Sequence, residues 1–268
     1  MFLDQNRRHY ETGVVAARYA TRSGLQPAEA AIFERYHRDI AGLRILDLGV
    51  GGGRTTPFLL ELSSNYIGVD YSREMIERCR RRFPGVAFDV VDARDLSRYP
   101  DSSFDFAFFS HSGIDALEHV GRLEVLREVR RVLCDGGLFV FSSHNRNYRI
   151  PKPWALDHFS GTLSDPLSFG KRAASYPVGI VNYLRRAHRA EARGEYCMSV
   201  DSAYRYSLIH YRIDAAAQKK QLERAGFSDM AVIDVDGRWL TWPEAERRER
   251  DPWFQYSCRR KSERRQGD

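Results

Sequence analysis

Short apolar runs alternate with amphipathic stretches from Arg44 to Phe141. Arg44 to Leu48, Tyr66 to Asp70, Val86 to Val91, Phe104 to Phe109 and Leu138 to Phe141 read as five strands. They are brief, nearly continuous in apolar character and bounded by turn residues. The segments between them carry a helical period. Arg54 to Leu62 forms one predicted helix, and Ser72 caps a second that runs to Phe83 and stops at Pro84-Gly85. From Ile114 to Leu133 the apolar positions Leu117, Val120, Leu126, Val129 and Leu133 define a third, ended by Gly136-Gly137. Strands alternating with helices predict an α/β fold whose parallel sheet is covered on both faces. Upstream, Pro27 suits the first turn of a helix, with Ile32, Phe33, Tyr36 and Ile40 on one apolar face.

The rhythm breaks between Asn145 and Ala203, where Pro151, Pro153, Pro166 and Pro177 precede a predicted helix from Val178 to Arg193. Extended chain is expected from Tyr204 to Arg212, and a helix from Ala215 to Ala225 that Gly226 stops. Met230 to Val235 and Trp253 to Cys258 read as two last strands, close enough in sequence to pair antiparallel. The expected organisation is a helical N-terminal cap (1–42), a core (43–145 and 204–260), an insertion over the sheet (146–203) and a charged tail (261–268).

With 268 residues, 43% hydrophobic and 29% charged, the composition is that of a globular chain and excludes disordered and collagen-like classes. No apolar stretch, Leu138 to Phe141 included, approaches the roughly 20 residues a bilayer span needs, so no membrane association is expected. Met1 to Tyr10 holds two arginines and no apolar segment, so no secretory signal is expected. Cys79, Cys134, Cys197 and Cys258 lack zinc-type spacing, which predicts incidental thiols in a reduced, cytoplasmic protein without a metal site. Net charge is +6, and only five of the 42 basic residues are lysine. That excess would attract nucleic acid or anionic substrates. Because the arginines are spread over the whole chain, a genome that favours arginine codons accounts for them better.

The strongest chemical signal is Ile45-Leu46-Asp47-Leu48-Gly49-Val50-Gly51-Gly52-Gly53-Arg54-Thr55. Glycines between a strand and a helix permit a tight turn and close approach of a ligand to the backbone. A dinucleotide fingerprint would want a third glycine where Arg54 stands, which disfavours a nicotinamide cofactor. Asp47 is placed to meet the ammonium of an amino-acid-like ligand. Asp70 ends the second strand at the position where a carboxylate accepts both hydroxyls of a ribose. Tyr71 would lie against an adenine, and Asp92, ending the third strand, would accept its exocyclic amine.

Together these segments resemble the class I S-adenosylmethionine-dependent methyltransferases. The run containing Asp47, Gly49, Gly51 and Gly53 resembles the family's first motif, and Asp70 and Asp92 match its ribose and adenine acids. Phe104-Asp105-Phe106-Ala107-Phe108-Phe109 resembles its fourth strand, and Arg130 to Leu138 the segment before its fifth. The likeness is strong over 43–145 and weak over 213–260. It implies a Rossmann-like seven-stranded sheet in the order 3-2-1-4-5-7-6, with strand 7 antiparallel, and S-adenosyl-L-methionine as cofactor. It further implies that Gly49, Val50 and Gly51 line the methionine part of the cofactor. Tyr71 and Met75 would flank the adenine, Ala93 would offer it backbone, and Ser110 would lie near the sulfonium. Tyr19 or Tyr10 would close the site.

Such a cofactor brings its own activated methyl, so the protein mainly aligns a nucleophile and removes at most one proton. Histidine suits that work near neutral pH. His111 directly follows the fourth strand and His144 the fifth, and both are the expected catalytic candidates. Asp115 either orients one of them or caps the next helix; His119, His210 and the remaining histidines read as packing or surface residues. Aromatics in the insertion, among them Trp154, Phe159, Tyr183 and Tyr196, would form a lid over a small organic substrate or short peptide. The expected reaction is methyl transfer to oxygen or nitrogen. An RNA methyltransferase and a non-catalytic cofactor-binding module stay open as alternatives.

Overall fold

The computed structural model describes Asn6 and residues 24–155, 166–202 and 205–262. Its centre is a sheet built from β1 (Ile45–Leu48), β2 (Tyr66–Asp70), β3 (Ala87–Val90), β4 (Phe104–Phe109), β5 (Leu133–His144), β9 (Phe227–Ile233), β10 (Trp239–Leu240) and β11 (Trp253–Arg260). The spatial order is β10-β9-β11-β5-β4-β1-β2-β3. β1 to β5 pair in parallel, whereas β11 runs antiparallel to both β5 and β9.

The expected count of seven strands is therefore corrected to eight, and the expected order changes at one edge. β10 folds back onto β9, pairing Trp239 with Ile233 and Leu240 with Val232. The turn is built locally. The Asp234 side chain accepts the amides of Asp236 and Arg238 at 3.1 and 2.9 Å, and Gly237 takes φ +87°. A two-residue strand leaves too short a pattern to be read from sequence.

Strand alternation divides the core. Leu46, Phe139, Val129 and Tyr256 pack on one face, while Ile45, Phe106, Phe108 and Ile32 pack on the other. The second face is covered by α1 (Pro27–Ile40) and α3 (Arg73–Arg82), and α2 (Thr56–Leu62) lies between β1 and β2 in the chain. Ser72 caps α3, accepting the Met75 amide at 3.4 Å, as its sequence position predicts. The helix expected from Ile114 is split. Gly113–Ala116 is a 3-10 turn, Leu117 is extended, and α4 runs from His119 to Val132. Many of the arginines tie segments together, such as Arg44 on Asp105 at 2.8 Å and Arg131 on Asp101 at 2.7 Å.

The insertion carries its own antiparallel sheet of β6 (Glu191–Ala192), β7 (Tyr196–Val200) and β8 (Ile209–Ile213). The extended stretch that the sequence assigns to the core pairs with β7 instead. It touches the core through a bridge from Asn145 to Ile213 and through Arg212, whose guanidinium donates to the Asn145 carbonyl at 2.8 Å. The insertion helix, α5, spans Pro166–Ala187 and contains Pro177 in its interior. Proline usually marks a helix boundary, which is why the sequence reading starts that helix too late. α6 (Ala215–Arg224) is capped by Asp214, and α7 (Trp242–Glu246) precedes β11. No described helix is long and apolar enough to cross a membrane.

Candidate active site

The glycine-rich turn leaves β1 at its carboxyl end, where a cavity opens. Gly49 and Gly51 line it, together with Asp70, Tyr71 and Met75 from the end of β2 and the start of α3. Val91 and Ala93 enter after β3, and Phe109, Ser110, His111, Gly113 and Ala116 after β4. A crevice outside the carboxyl ends of parallel strands is where open α/β sheets bind ligands.

Asp70 is the best-defined member. Its Oδ2 accepts the Gly51 amide at 3.0 Å and its Oδ1 accepts the Ser72 amide at 2.8 Å. Both oxygens are oriented by backbone, yet each keeps acceptor capacity toward the cavity. Burial pushes its carboxyl up to about 6, against the opposing pull of the Ser72 and Gly51 amides. A ribose diol would satisfy these oxygens. The cavity therefore fits a nucleoside cofactor, with Tyr71, Met75 and Val91 supplying apolar surface beside the acid.

Asp47 is positioned differently from its predicted role. It is buried and turned into the sheet, where its Oδ2 accepts the Tyr66 hydroxyl at 2.8 Å and the Thr55 hydroxyl at 3.3 Å. Burial drives its carboxyl up to about 7, opposed by those hydroxyls and by Arg54. An acid whose pKa rises on folding contributes stability that is full below about 3.8 and is lost as pH rises through 7. Asp47→Asn should therefore flatten the dependence of unfolding free energy on pH between 4 and 7, at up to about 1.4 kcal/mol per pH unit. Urea titrations at pH 5 and pH 8 test this. An unchanged difference between the two pH values would count against a neutral Asp47 in the folded protein.

The remaining cofactor candidates divide. Gly49, Gly51, Asp70, Tyr71, Met75, Ala93 and Ser110 line the cavity, whereas Val50, Gly53 and Asp92 are not among its lining residues. Both Asp92 oxygens are taken by Arg94, at 3.0 and 2.6 Å. Gly49 has φ +61°, and a Cβ there would meet the Phe109 ring at 2.6 Å, so packing as well as turn geometry requires glycine. Gly53 is excluded from substitution in the same way by Phe83, at 2.6 Å. Tyr10 and Tyr19 lie outside the described residues.

A buried ionic cluster closes one wall. Glu29, the third residue of α1, accepts Arg54 through both oxygens at 2.6 Å and also receives the Ser110 hydroxyl. Arg54 further donates to Ser110 Oγ at 2.8 Å and to the Gly24 carbonyl at 2.9 Å. Burial alone would raise the Glu29 carboxyl, but Arg54 and Ser110 outweigh it and hold it low. Arg54, which breaks the dinucleotide fingerprint, thus pins α1 to the glycine turn. Ser110 is spoken for by this cluster even though it faces the cavity. Sequence reading missed Glu29 because its partners are 25 and 81 residues away.

His111 lines the cavity with a left-handed backbone (φ 54°), and its Nδ1 lies 3.4 Å from the Gln26 amide nitrogen. His144 stands at the end of the neighbouring strand, outside the cavity lining. Its backbone N–H and its Nδ1 both meet Asp115 Oδ2, at 2.6 and 2.8 Å. Asp115 is fully buried and also holds Ser143 and Arg122. Of its two predicted roles, orienting a histidine is therefore the one the structure shows; Glu118 holds the cap position of α4. Arg122, Gln218, Gln221, Asp115 and Ser143 form a buried polar network joining α4, α6, the 3-10 turn and β5. His144 also faces Asp201 and His210 from the insertion, a grouping that neither residue spacing nor periodicity signals.

Fold and cavity define an α/β protein with a crevice at the carboxyl ends of β1 to β4. The family model described as "Methyltransferase domain" matches residues 46–141, the segment from β1 into β5. A probable S-adenosylmethionine-dependent methyltransferase of Mycolicibacterium smegmatis is 28% identical over 218 residues, 81% of this chain and 80% of the relative. The fatty-acid O-methyltransferase of the same organism is 34% identical over 119 residues, 42% of each chain. The chain spans about half the length, 42% and 50%, of two curated O-methyltransferases it matches. Among solved structures, the 1,6-didemethyltoxoflavin-N1-methyltransferase of Burkholderia thailandensis shares the fold. It superposes with a TM-score of 0.52 at 14% identity, covering 88% of this chain and 79% of that one. Residues 46–141 thus match a methyltransferase domain, and the chain is similar over most of its length to an S-adenosylmethionine-dependent methyltransferase.

Proposed function

We propose that this protein transfers a methyl group from S-adenosylmethionine to an oxygen or nitrogen of a small molecule or short peptide. The observation that carries the reading is Asp70, a buried carboxylate fixed by two backbone amides and aimed into a crevice that ends at His111. When bound, the cofactor supplies an electrophilic methyl and a sulfur leaving group. The chain's own residues then bind, align and exclude water. Asp70 would accept the ribose hydroxyls, while Tyr71 and Met75 would enclose the base. The Arg54–Glu29–Ser110 cluster holds the wall of the crevice rigid. His111 would take a proton from the acceptor's nucleophile, exchanging its long contact with Gln26 for that bond. The insertion would set acceptor choice as a lid. Support for a small acceptor comes from the relative named a fatty-acid O-methyltransferase.

Asp70 gives the direct test. Asp70→Ala should weaken S-adenosylmethionine binding more than tenfold, because losing bonds to a charged acceptor costs roughly 1.5–3 kcal/mol. Since Asp70 must be ionised to accept both hydroxyls, wild-type affinity should fall as pH drops through about 6. Calorimetry across pH, with NAD as the control ligand, measures both effects. Equal affinity in a folded variant would remove Asp70 from the site, and preferential binding of NAD would overturn the reading.

A further inference from the structure

We infer that His144, Asp201 and His210 form a binding site for one first-row divalent metal ion of the zinc class, at the junction of core and insertion. Each residue offers one ligand atom, and the three atoms lie within 4.8 Å of one another. His144 comes from the end of β5. Asp201 follows β7 directly and His210 lies in β8 opposite Ser199, so Asp201 is its diagonal neighbour on the same face of that small sheet. Tertiary folding alone brings the three together.

The distances suit coordination. Asp201 Oδ2 is 3.1 Å from His210 Nδ1 and 3.6 Å from His144 Nε2. With metal–ligand bonds of about 2.0–2.1 Å, the edge of a tetrahedron is roughly 3.3 Å. The imidazole centroids are 5.0 Å apart, and two rings sharing a tetrahedral ion would place theirs about 5 Å apart by the same bond length.

The surroundings orient the ligands. Asp115 is buried, and its Oδ2 lies 2.8 Å from His144 Nδ1. With the ring proton on Nδ1, the Nε2 lone pair faces Asp201. A carboxylate behind a ligating histidine is the arrangement that orients metal-bound imidazoles. Two neutral nitrogens and one carboxylate favour zinc, iron(II), cobalt(II) or nickel(II) over the all-oxygen preferences of magnesium and calcium. Three protein ligands leave a fourth position for water or another donor. The nearby cation Arg212 is turned to the Asn145 carbonyl, at 2.8 Å. The site is independent of the methyl-transfer reading, because its occupancy is measured without turnover.

The test uses the whole chain, stripped with chelator and then titrated with zinc and with cobalt(II). Wild type should bind one ion per chain, show the intense visible absorption of low-symmetry cobalt, and melt at a higher temperature with zinc. Amide exchange in β7 and β8 should slow, because the ion ties them to β5. His210→Ala and Asp201→Asn should abolish stoichiometric binding, and Asp115→Asn should weaken it by about 10–100-fold. No stoichiometric binding by wild type overturns the site and leaves a hydrogen-bonded His–Asp–His cluster. Unchanged binding in His210→Ala also overturns it, by assigning the ion to the free cysteines or to the surface.

Discussion

His111→Asn is expected to lower kcat by about 10²–10⁴-fold while leaving S-adenosylmethionine affinity nearly unchanged, the range for loss of a general base. Asparagine is the informative replacement. The backbone at 111 has φ 54°, a conformation asparagine tolerates far better than most residues, so the loss reports on the imidazole rather than on the turn. The ring sits at the mouth of the crevice next to Ser110, where the acceptor would approach. A base also leaves a signature in pH: the rising limb of the kcat profile should disappear in the variant. If His111 only orients the acceptor, the defect should be smaller and appear partly in KM. Matching rates and profiles for the two proteins would leave His111 without a part in the reaction.

Arg122→Met is expected to destabilise the folded protein by roughly 3–5 kcal/mol, the cost of stranding a buried charge. Arg122 is fully buried and donates to Asp115, Gln218, Gln221 and Ser143. Its removal leaves the Asp115 carboxylate without its guanidinium partner, with Ser143 and His144 as its remaining donors, and takes a donor from both Gln218 and Gln221. For a chain of this size the loss corresponds to a fall in Tm on the order of 10 °C. Pairing the change with Asp115→Leu should recover part of the loss, because a well-packed apolar pair avoids the desolvation of two charges. A single variant within 1 kcal/mol of wild type by urea unfolding would mean that the network contributes little.

Much of this molecule is legible from its sequence where the information is local. The alternation that gives β1 to β4, the capping of α3 by Ser72, and the glycine turn that opens the crevice all follow from neighbours a few residues apart. Asp70 also follows, because a βαβ unit fixes how far an acid at the end of the second strand lies from the turn after the first. Other readings fail where a local rule is overridden. Pro177 sits inside α5, not at its start. The apolar period from Ile114 to Leu133 runs through a break at Leu117, where the chain turns Asp115 inward to His144.

Asp47 marks the boundary between the two kinds of information. Its position at the end of β1 is written in the sequence, but only packing decides that the carboxylate faces Tyr66 and Thr55 instead of the crevice. The same holds for Arg54. Its departure from the dinucleotide fingerprint is visible at once, while its bond to Glu29 exists only because α1 folds over the turn. The likeness to methyltransferases, the glycine turn at the crevice and the run of core strands were thus determined by residues close together in the chain. The partners of Asp115, the joining of β8 to β7 and the meeting of His144 with Asp201 and His210 were decided by tertiary structure. The physical reason is sequence distance: side chains tens of residues apart leave no periodic or spacing signal, and they meet only when burial of both sheet faces brings their strands together.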